Sequence, residues 1–371
     1  MRVRRSAAAI AAATPTNRDR YVDLLRVLAI SAVVYGHWLI AVVAYRDGHL
    51  DADYLLLVVP STQYFTWLFQ VMPVFFLVGG YANAASLRSA QRHGASAADW
   101  LRVRWRRLLG PTLVLVGCWI ALALVLSLAG LDRGLILTGV LHALGPLWFL
   151  GIYIFVVGAA PVTMRLHDRY GWRVVAALIT LAAATDVAHL AFKVPLIGWT
   201  NCAWVWLAMH QLGYCWQDQT LLASHWRGWA LLVGGAVAFG LLVVPGPYPI
   251  SMVDRANTAP PTVALLALGL FHTGLVLVLR STVSRWLQRP RVWMTVATAN
   301  AVVMTLYLWH VTALVLVVLA FVLPGVWPNA RAGSLLWWTL RPLWLMMLTA
   351  ATIPIVALFS RVERRLASTP G

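Results

Sequence analysis

Charged side chains are scarce in this chain. They make up 11% of its 371 residues, whereas 61% are hydrophobic and the mean hydropathy is +0.76. A soluble domain usually carries about 25% charged residues, so the composition excludes a soluble globular fold. Repeated apolar runs reach the roughly 20 residues that a membrane-spanning helix needs. The sequence therefore predicts an all-α, polytopic integral membrane protein.

Cysteine is also rare, and the cysteine positions exclude two kinds of site. Cys118, Cys202 and Cys215 all fall inside predicted spans, and none belongs to a CxxC pair. A disulfide framework or a zinc site would need more cysteines at characteristic spacings. We interpret all three as small, buried apolar residues and expect no bound metal.

Lysine is almost absent, because Lys193 is the only lysine among 29 basic residues. This bias indicates a GC-rich, bacterial genome. The net charge of +17 comes without a polar, aromatic-studded surface, so we expect no nucleic-acid partner. The arginines gather in alternate loops instead, which places 23 basic residues on one side of the membrane and 6 on the other. The positive-inside rule then predicts that both termini are cytoplasmic in an inner (plasma) membrane.

Ten spans satisfy this topology, because an even number returns the chain to the cytoplasmic side. They are predicted at residues 22–44, 64–87, 108–130, 144–163, 173–191, 199–216, 229–245, 262–280, 296–322 and 335–358. A single transmembrane domain, residues 21–360, would lie between a disordered basic tail, 1–20, and a second basic tail, 361–371. No predicted outer loop exceeds about 20 residues, and we find no internal repeat or paired broken helices. Any chemistry must therefore lie within the bundle or at its mouths.

Two ionisable residues stand out in the first span. Arg26 and His37 are eleven residues apart, which places their side chains on nearly the same helix face, roughly 16 Å apart along the axis. Either residue alone has an ordinary explanation, an interfacial anchor for the arginine and a packing residue for the histidine. Together they suit a donor whose phosphates bind Arg26 while its reactive end reaches His37, since arginine favours phosphate and histidine transfers protons.

Two further pairs of polar residues lie within spans. Asp186 and His189 are three residues apart toward the outer side, where they could bind an acceptor or simply satisfy each other. Tyr307 and His310 have the same spacing, and packing is again the alternative.

Five stretches, in order, resemble the membrane acyltransferase-3 family. "RYVDLLRVLAISAVVYGH" is similar to the family's first span, with matches at Arg20, Asp23, Arg26 and His37. The other four stretches are "MPVFFLVGGYANAASLR" at 72–88, "RVRWRRLLGP" at 102–111, "LWFL" at 147–150 and "LYLWHVT" at 306–312. The resemblance extends from about residue 18 to the C-terminus. Two positions depart from it: Gly79 stands where the family often has serine, and Val27 where it often has glycine.

The resemblance implies an O-acyltransferase, of the class that transfers groups other than aminoacyl groups. Such a protein moves an acyl group, here acetyl or a short chain, from cytoplasmic acyl-CoA to a hydroxyl of a cell-envelope sugar, lipid-linked glycan or glycosylated metabolite. Acyl-CoA is then a co-substrate, and no cofactor is bound permanently. His37 is implied as the catalytic residue and Arg26 as a donor clamp, with Arg104 and Arg107 as further donor-binding candidates. With the pairs above, the supporting or acceptor-binding candidates are Asp23, Tyr81, Trp148, Asp186, His189, Tyr307 and His310.

Three alternatives stay open at this point. His37 could act as a general base in a ternary complex, which we favour, or could itself be acylated. A proton-coupled transporter could use His37, Asp186 and His189, but it would need no phosphate site at its cytoplasmic mouth. A catalytically inactive scaffold is the third possibility, and the presence of both Arg26 and His37 argues against it.

Overall fold

The computed structural model describes residues 18–46 and 49–368, without the side chains of residues 49, 254, 255 and 363–368. The tail predicted at 1–20 therefore lies almost wholly outside the described residues. Twelve helices of eleven or more residues form most of the described chain. They are α1 Arg20–Ile40, α2 Met72–Arg92, α3 Ala97–Leu128, α4 Arg133–Leu144, α5 Leu147–Tyr170, α6 Arg173–Leu190, α7 Asn201–Gln217, α8 His225–Val243, α9 Val263–Trp286, α10 Pro290–Asn300, α11 Val303–Val317 and α12 Leu335–Ser368.

The prediction of an all-α, polytopic membrane protein is confirmed. Within the described residues, nine helical segments are long and apolar enough to cross a membrane. Nine of the ten predicted spans coincide with these segments. The remaining one, predicted at 199–216, is the 17-residue helix α7. Almost every residue in the C-terminal two thirds of α7 is buried, so this helix is enclosed by protein rather than by lipid.

Two predicted spans differ from the structure at one end each. The first was expected to reach residue 44, but α1 ends at Ile40 and the chain turns into an antiparallel hairpin, β1 Ala41–Arg46 and β2 His49–Tyr54. The β-branched Val42 and Val43 favour this strand although their hydropathy suits a span. The span expected at 296–322 begins only with α11, after the separate helix α10, and ends in a π-helical turn at Val318–Val322.

The described chain forms two compact units. The first contains the described residues up to Ile30, with Gln63–Leu101 and Ile152–Ala301, and the second contains Ser31–Thr62, Arg102–Gly151 and the residues from Val302 onward. Because each unit draws on three separate stretches, neither is a contiguous domain, and the single domain expected at 21–360 stays a prediction.

Glycines set the closest helix contacts in the first unit. A Cβ on Gly80 of α2 would overlap the carbonyl oxygen of His210 in α7, and one on Gly213 would overlap that of Leu77. Small residues allow helix backbones to approach this closely within a membrane. These two helices therefore touch along their backbones.

Indole hydrogen bonds to backbone carbonyls connect the helices of the second unit. Trp38 of α1 donates to the carbonyl of His310 at 2.9 Å, and Trp344 of α12 donates to that of Trp38 at 3.1 Å. Arg341 lies inside α12, within the span predicted at 335–358, and is 7% exposed. Its guanidinium stacks 3.5 Å from the ring centre of Trp337 and donates to the carbonyl of Ala41, so the stem and head of this arginine are packed rather than solvated.

The cysteines are all free, and one of them is not where it was expected. Cys215 is buried and Cys202 is half-buried, but Cys118 is exposed on α3. The prediction of burial is therefore wrong for Cys118. Only a small part of α3 is covered by protein, as expected for a helix that faces lipid.

Candidate active site

Asp23 is the centre of a polar cluster in the first unit. Its carboxylate is 3% exposed and accepts hydrogen bonds from Arg18, with Nη2 at 3.0 Å, and from the side-chain amide of Asn300 at 3.1 Å. Arg26 lies one turn along α1, with its Nη1 3.7 Å from the same carboxylate. Arg26 keeps 31% of its side chain exposed. Asp23 thus anchors one edge of the Arg26 guanidinium, and part of that side chain stays accessible.

Asp19 lies directly before α1 and was not singled out from the sequence. Its carboxylate accepts from the backbone N–H of Tyr21 at 2.9 Å, as an N-cap does, and pairs with Arg280 at 3.2 Å. Tyr81, a supporting candidate, also interacts with this carboxylate. An aspartate directly before an apolar helical run is a recognised start signal, and it could have identified Asp19.

His37 and His310 are hydrogen-bonded to each other in the second unit. The Nδ1 of His37 lies 2.8 Å from the Nε2 of His310, and the two ring planes differ by 6°. His310 is fully buried on α11, and its Nδ1 lies 2.6 Å from the backbone carbonyl of Tyr307. His37 is only half-buried. The structure therefore joins two of the predicted site residues, separated by 273 positions in the sequence.

A family model described as an acyltransferase domain, that of the acyltransferase-3 family, matches residues 19–361. The chain belongs to the acyltransferase-3 family. No curated protein and no solved structure matches it. Membership makes this chain a membrane acyltransferase, which requires an acyl donor, an acceptor and a bilayer.

Tyr307 contributes to this acyltransferase in a way the sequence did not predict. Its hydroxyl donates to the carbonyl of Pro146 at 2.6 Å, in the turn between α4 and α5. Its backbone carbonyl, rather than its hydroxyl, contacts His310. The phenol thus fixes the turn, and the main chain of Tyr307 contacts the histidine pair.

Asp186 forms a separate cluster in the first unit. Its carboxylate accepts from Asn201 Nδ2 at 2.7 Å, from the hydroxyl of Tyr248 at 2.7 Å and from the backbone N–H of Val263 at 2.8 Å. His189 is not among these donors, although it interacts electrostatically with the carboxylate. Burial and the bond to Asp186 raise the pKa of Tyr248, which keeps its hydroxyl protonated as the donor. These bonds connect the loop between α8 and α9, the start of α9 and the start of α7 to α6.

The remaining candidates are two arginines of α3 and one tryptophan of α5. Arg104 and Arg107 are three residues apart on α3 of the second unit, the first half-buried and the second exposed. Trp148 of α5 is 45% exposed. Their proposed roles stay predictions. In the described part of the chain, no three His, Cys, Asp or Glu side chains are arranged to hold a metal ion.

At Gly79, where the family often has serine, the ring of Tyr153 occupies the space that a side chain would need. A Cβ built on Gly79 would lie 2.9 Å from a ring carbon of Tyr153 on α5. The Tyr153 ring also makes edge contacts with Phe75 and Phe76. An aromatic cluster thus occupies the position at which a serine hydroxyl would point.

Proposed function

We propose that this acyltransferase moves an acetyl or short acyl group from cytoplasmic acyl-CoA to a hydroxyl of a sugar, lipid-linked glycan or glycosylated metabolite. It would act within an inner (plasma) membrane, with both termini in the cytoplasm. Acyl-CoA is the co-substrate, and the reaction needs no permanently bound cofactor. The observation that carries the proposal is the hydrogen bond between His37 and His310, on the helix whose first half also carries Arg26.

His37 is the general base in this proposal. It takes the proton of the acceptor hydroxyl while the hydroxyl oxygen attacks the thioester carbonyl carbon. The carbon–sulfur bond then breaks, and the departing CoA thiolate takes the proton back from His37. Half-burial suits this role, because the ring can contact a substrate and yet be partly shielded from water.

Arg26 binds the phosphates of the donor. A guanidinium presents several N–H donors in one plane, and here Asp23 occupies one edge of it. The distance along α1 from Arg26 to His37, roughly 16 Å, is the length that the donor must bridge between its phosphates and its thioester. Arg104 and Arg107 are proposed to add further positive charge for the same phosphates.

Labelled acetyl-CoA and purified protein in detergent test the donor half of this proposal. We expect slow thioester hydrolysis, and Arg26→Ala should raise the apparent KM for acetyl-CoA more than it lowers kcat. Arg169→Ala, which alters an exposed arginine in the last turn of α5, is the control. An unaltered KM in Arg26→Ala would remove the clamp role.

The acceptor is tested in cells. Glycans and metabolites extracted from wild-type and deletion strains are compared by mass spectrometry, and a loss of acetyl or short acyl mass on one class identifies the acceptor. Solute uptake into liposomes without acyl-CoA tests the transporter alternative. Uptake that depends on His37, with no acyl transfer, would replace the proposal by that alternative.

A further inference from the structure

The partners of His310 determine which of its ring nitrogens carries hydrogen. The backbone carbonyl of Tyr307 can only accept, so the Nδ1 of His310, 2.6 Å away, must be the donor. His310 is fully buried and neither of its hydrogen-bonded partners is an anion, so its ring is neutral, because an unpaired buried charge is costly. The Nε2 of a neutral ring protonated at Nδ1 holds a lone pair.

This assignment fixes the hydrogen on His37 as well. The Nε2 of His310 accepts, so the Nδ1 of His37 must donate across the 2.8 Å bond. In a neutral His37, the second nitrogen, Nε2, is then without hydrogen. A base needs this lone pair, and Nε2 lies on the side of the ring away from His310.

The relative orientation of the two rings supports a directed hydrogen bond rather than stacking. Their planes differ by 6° and their centres are 5.1 Å apart, although the two nitrogens are only 2.8 Å apart. This combination arises when the rings lie end to end in one plane, with the N–H of one aimed along the lone pair of the other. Face-to-face rings with such a short nitrogen contact would have closer centres. The bond is therefore near linear, which is its strongest geometry.

We propose that His310 is a positioning residue that holds His37 in its Nδ1–H tautomer, so that the Nε2 of His37 is the atom that takes the acceptor's proton. The inference rests on the proposed function, in which His37 is the base. After proton transfer, His37 carries hydrogen on both nitrogens and still donates to His310. When the thiolate takes the proton back from Nε2, the original tautomer is restored. A neutral holder fits this depth, because it orients the base without placing a permanent charge in the membrane.

Tautomers are read directly from the intact protein labelled with ¹⁵N-histidine, in detergent or lipid nanodiscs. The chain has ten histidines, and the His37 signals are assigned by their loss in His37→Asn. We expect His37 to show hydrogen on Nδ1 and none on Nε2. In His310→Leu, which removes the acceptor, the Nδ1–H form should be lost in favour of the Nε2–H form. His272→Leu is the control, because the Nε2 of His272 contacts the carbonyl of Trp67 rather than His37, whose signals should stay unchanged.

Kinetics then separate positioning from packing. His310→Gln keeps an acceptor for His37 and a donor for the Tyr307 carbonyl, whereas His310→Leu keeps neither. We expect kcat for acyl-CoA turnover to fall about 100-fold in His310→Leu, within the range that a positioned base contributes, with KM unchanged. His310→Gln should recover most of that loss. Equal losses in both variants would indicate packing alone and would overturn the proposal.

A failure of the positioning role of His310 can be told apart from a failure of the proposed function. If wild-type His37 shows the Nε2–H tautomer, the positioning role is wrong whatever the activity. If the tautomer is as expected but no preparation turns over acyl-CoA, the positioning of His37 by His310 is supported. The assignment of acyl transfer to His37 then fails. Should His310→Leu not fold, the wild-type tautomer and the His310→Gln variant still decide the question.

Discussion

Trp38 donates its indole hydrogen to the backbone carbonyl of His310 at 2.9 Å, and so connects α1 to α11 directly beside the histidine pair. We predict that Trp38→Phe, which keeps an aromatic ring but loses the donor, reduces stability by about 1 kcal/mol. It should also lower kcat, because His310 is no longer anchored through its main chain. Denaturation in detergent and acyl-CoA hydrolysis measure the two effects. Trp226→Phe, at an exposed position, is the control, and equal behaviour of the two variants would refute the anchoring role.

Asp23→Asn tests the cluster around Arg26. The variant removes the negative charge that faces Arg18 and anchors the guanidinium of Arg26. Because Arg26 is then less well positioned for the donor phosphates, we expect the apparent KM for acyl-CoA to rise about tenfold, or about 1.4 kcal/mol. The control is Asp168→Asn, since Asp168 pairs with Arg88 at a site where the acid is 56% exposed. A loss of thermal stability with an unchanged KM would show that Asp23 serves folding alone.

Gly80→Ala tests the contact between α2 and α7. The added methyl group would overlap backbone atoms of His210, which cannot move as a flexible side chain can, so we expect a loss of up to about 3 kcal/mol. Gly117→Ala in α3 is the control, because a Cβ there meets nothing within 4 Å. Thermal unfolding of the two variants is compared in the same detergent. A Gly80→Ala protein as stable as the control would mean that the helices do not touch there.

Hydropathy was enough to predict most of the helices, and it failed where tertiary contacts decide the structure. The apolar run through Ala41–Ala44 reads as a continuation of α1, yet it pairs with the polar strand Asp51–Tyr54, which no local pattern indicates. Arg341 lies inside the span predicted at 335–358, where an unpaired arginine would be costly. Its stacking on Trp337 allows burial, and the tryptophans at i−4 and i+3 were the signal available.

The sequence predicted the members of the candidate site better than their contacts. His37 and His310 were both singled out, but their 273-residue separation concealed the bond between them. Asp186 and His189 were paired on spacing, although the carboxylate takes its donors from other elements. Helical spacing reports which residues share a face and says nothing about the partners across from it.

The pair formed by Asp218 and His167 predicts sensitivity to acid. Burial alone would raise the pKa of Asp218, but hydrogen bonds from Thr220 and from His167, 2.9 Å away, outweigh it and hold the pKa below the ordinary value of 3.8. The folded protein then binds fewer protons than the unfolded chain, so this stabilisation is complete above the unfolded pKa and is lost as pH falls through the folded one. We expect wild type to lose more thermal stability than Asp218→Asn between about pH 5 and about pH 3. Parallel losses in both proteins would contradict this account.

The most direct test of the central claim is turnover of labelled acetyl-CoA by purified wild type, His37→Ala and the surface control His93→Ala. If His37 is the base, wild type and the control hydrolyse the thioester at the same rate, and His37→Ala falls at least about 100-fold while its thermal stability stays near that of wild type. Hydrolysis that persists unchanged in a folded His37→Ala protein would contradict the assignment.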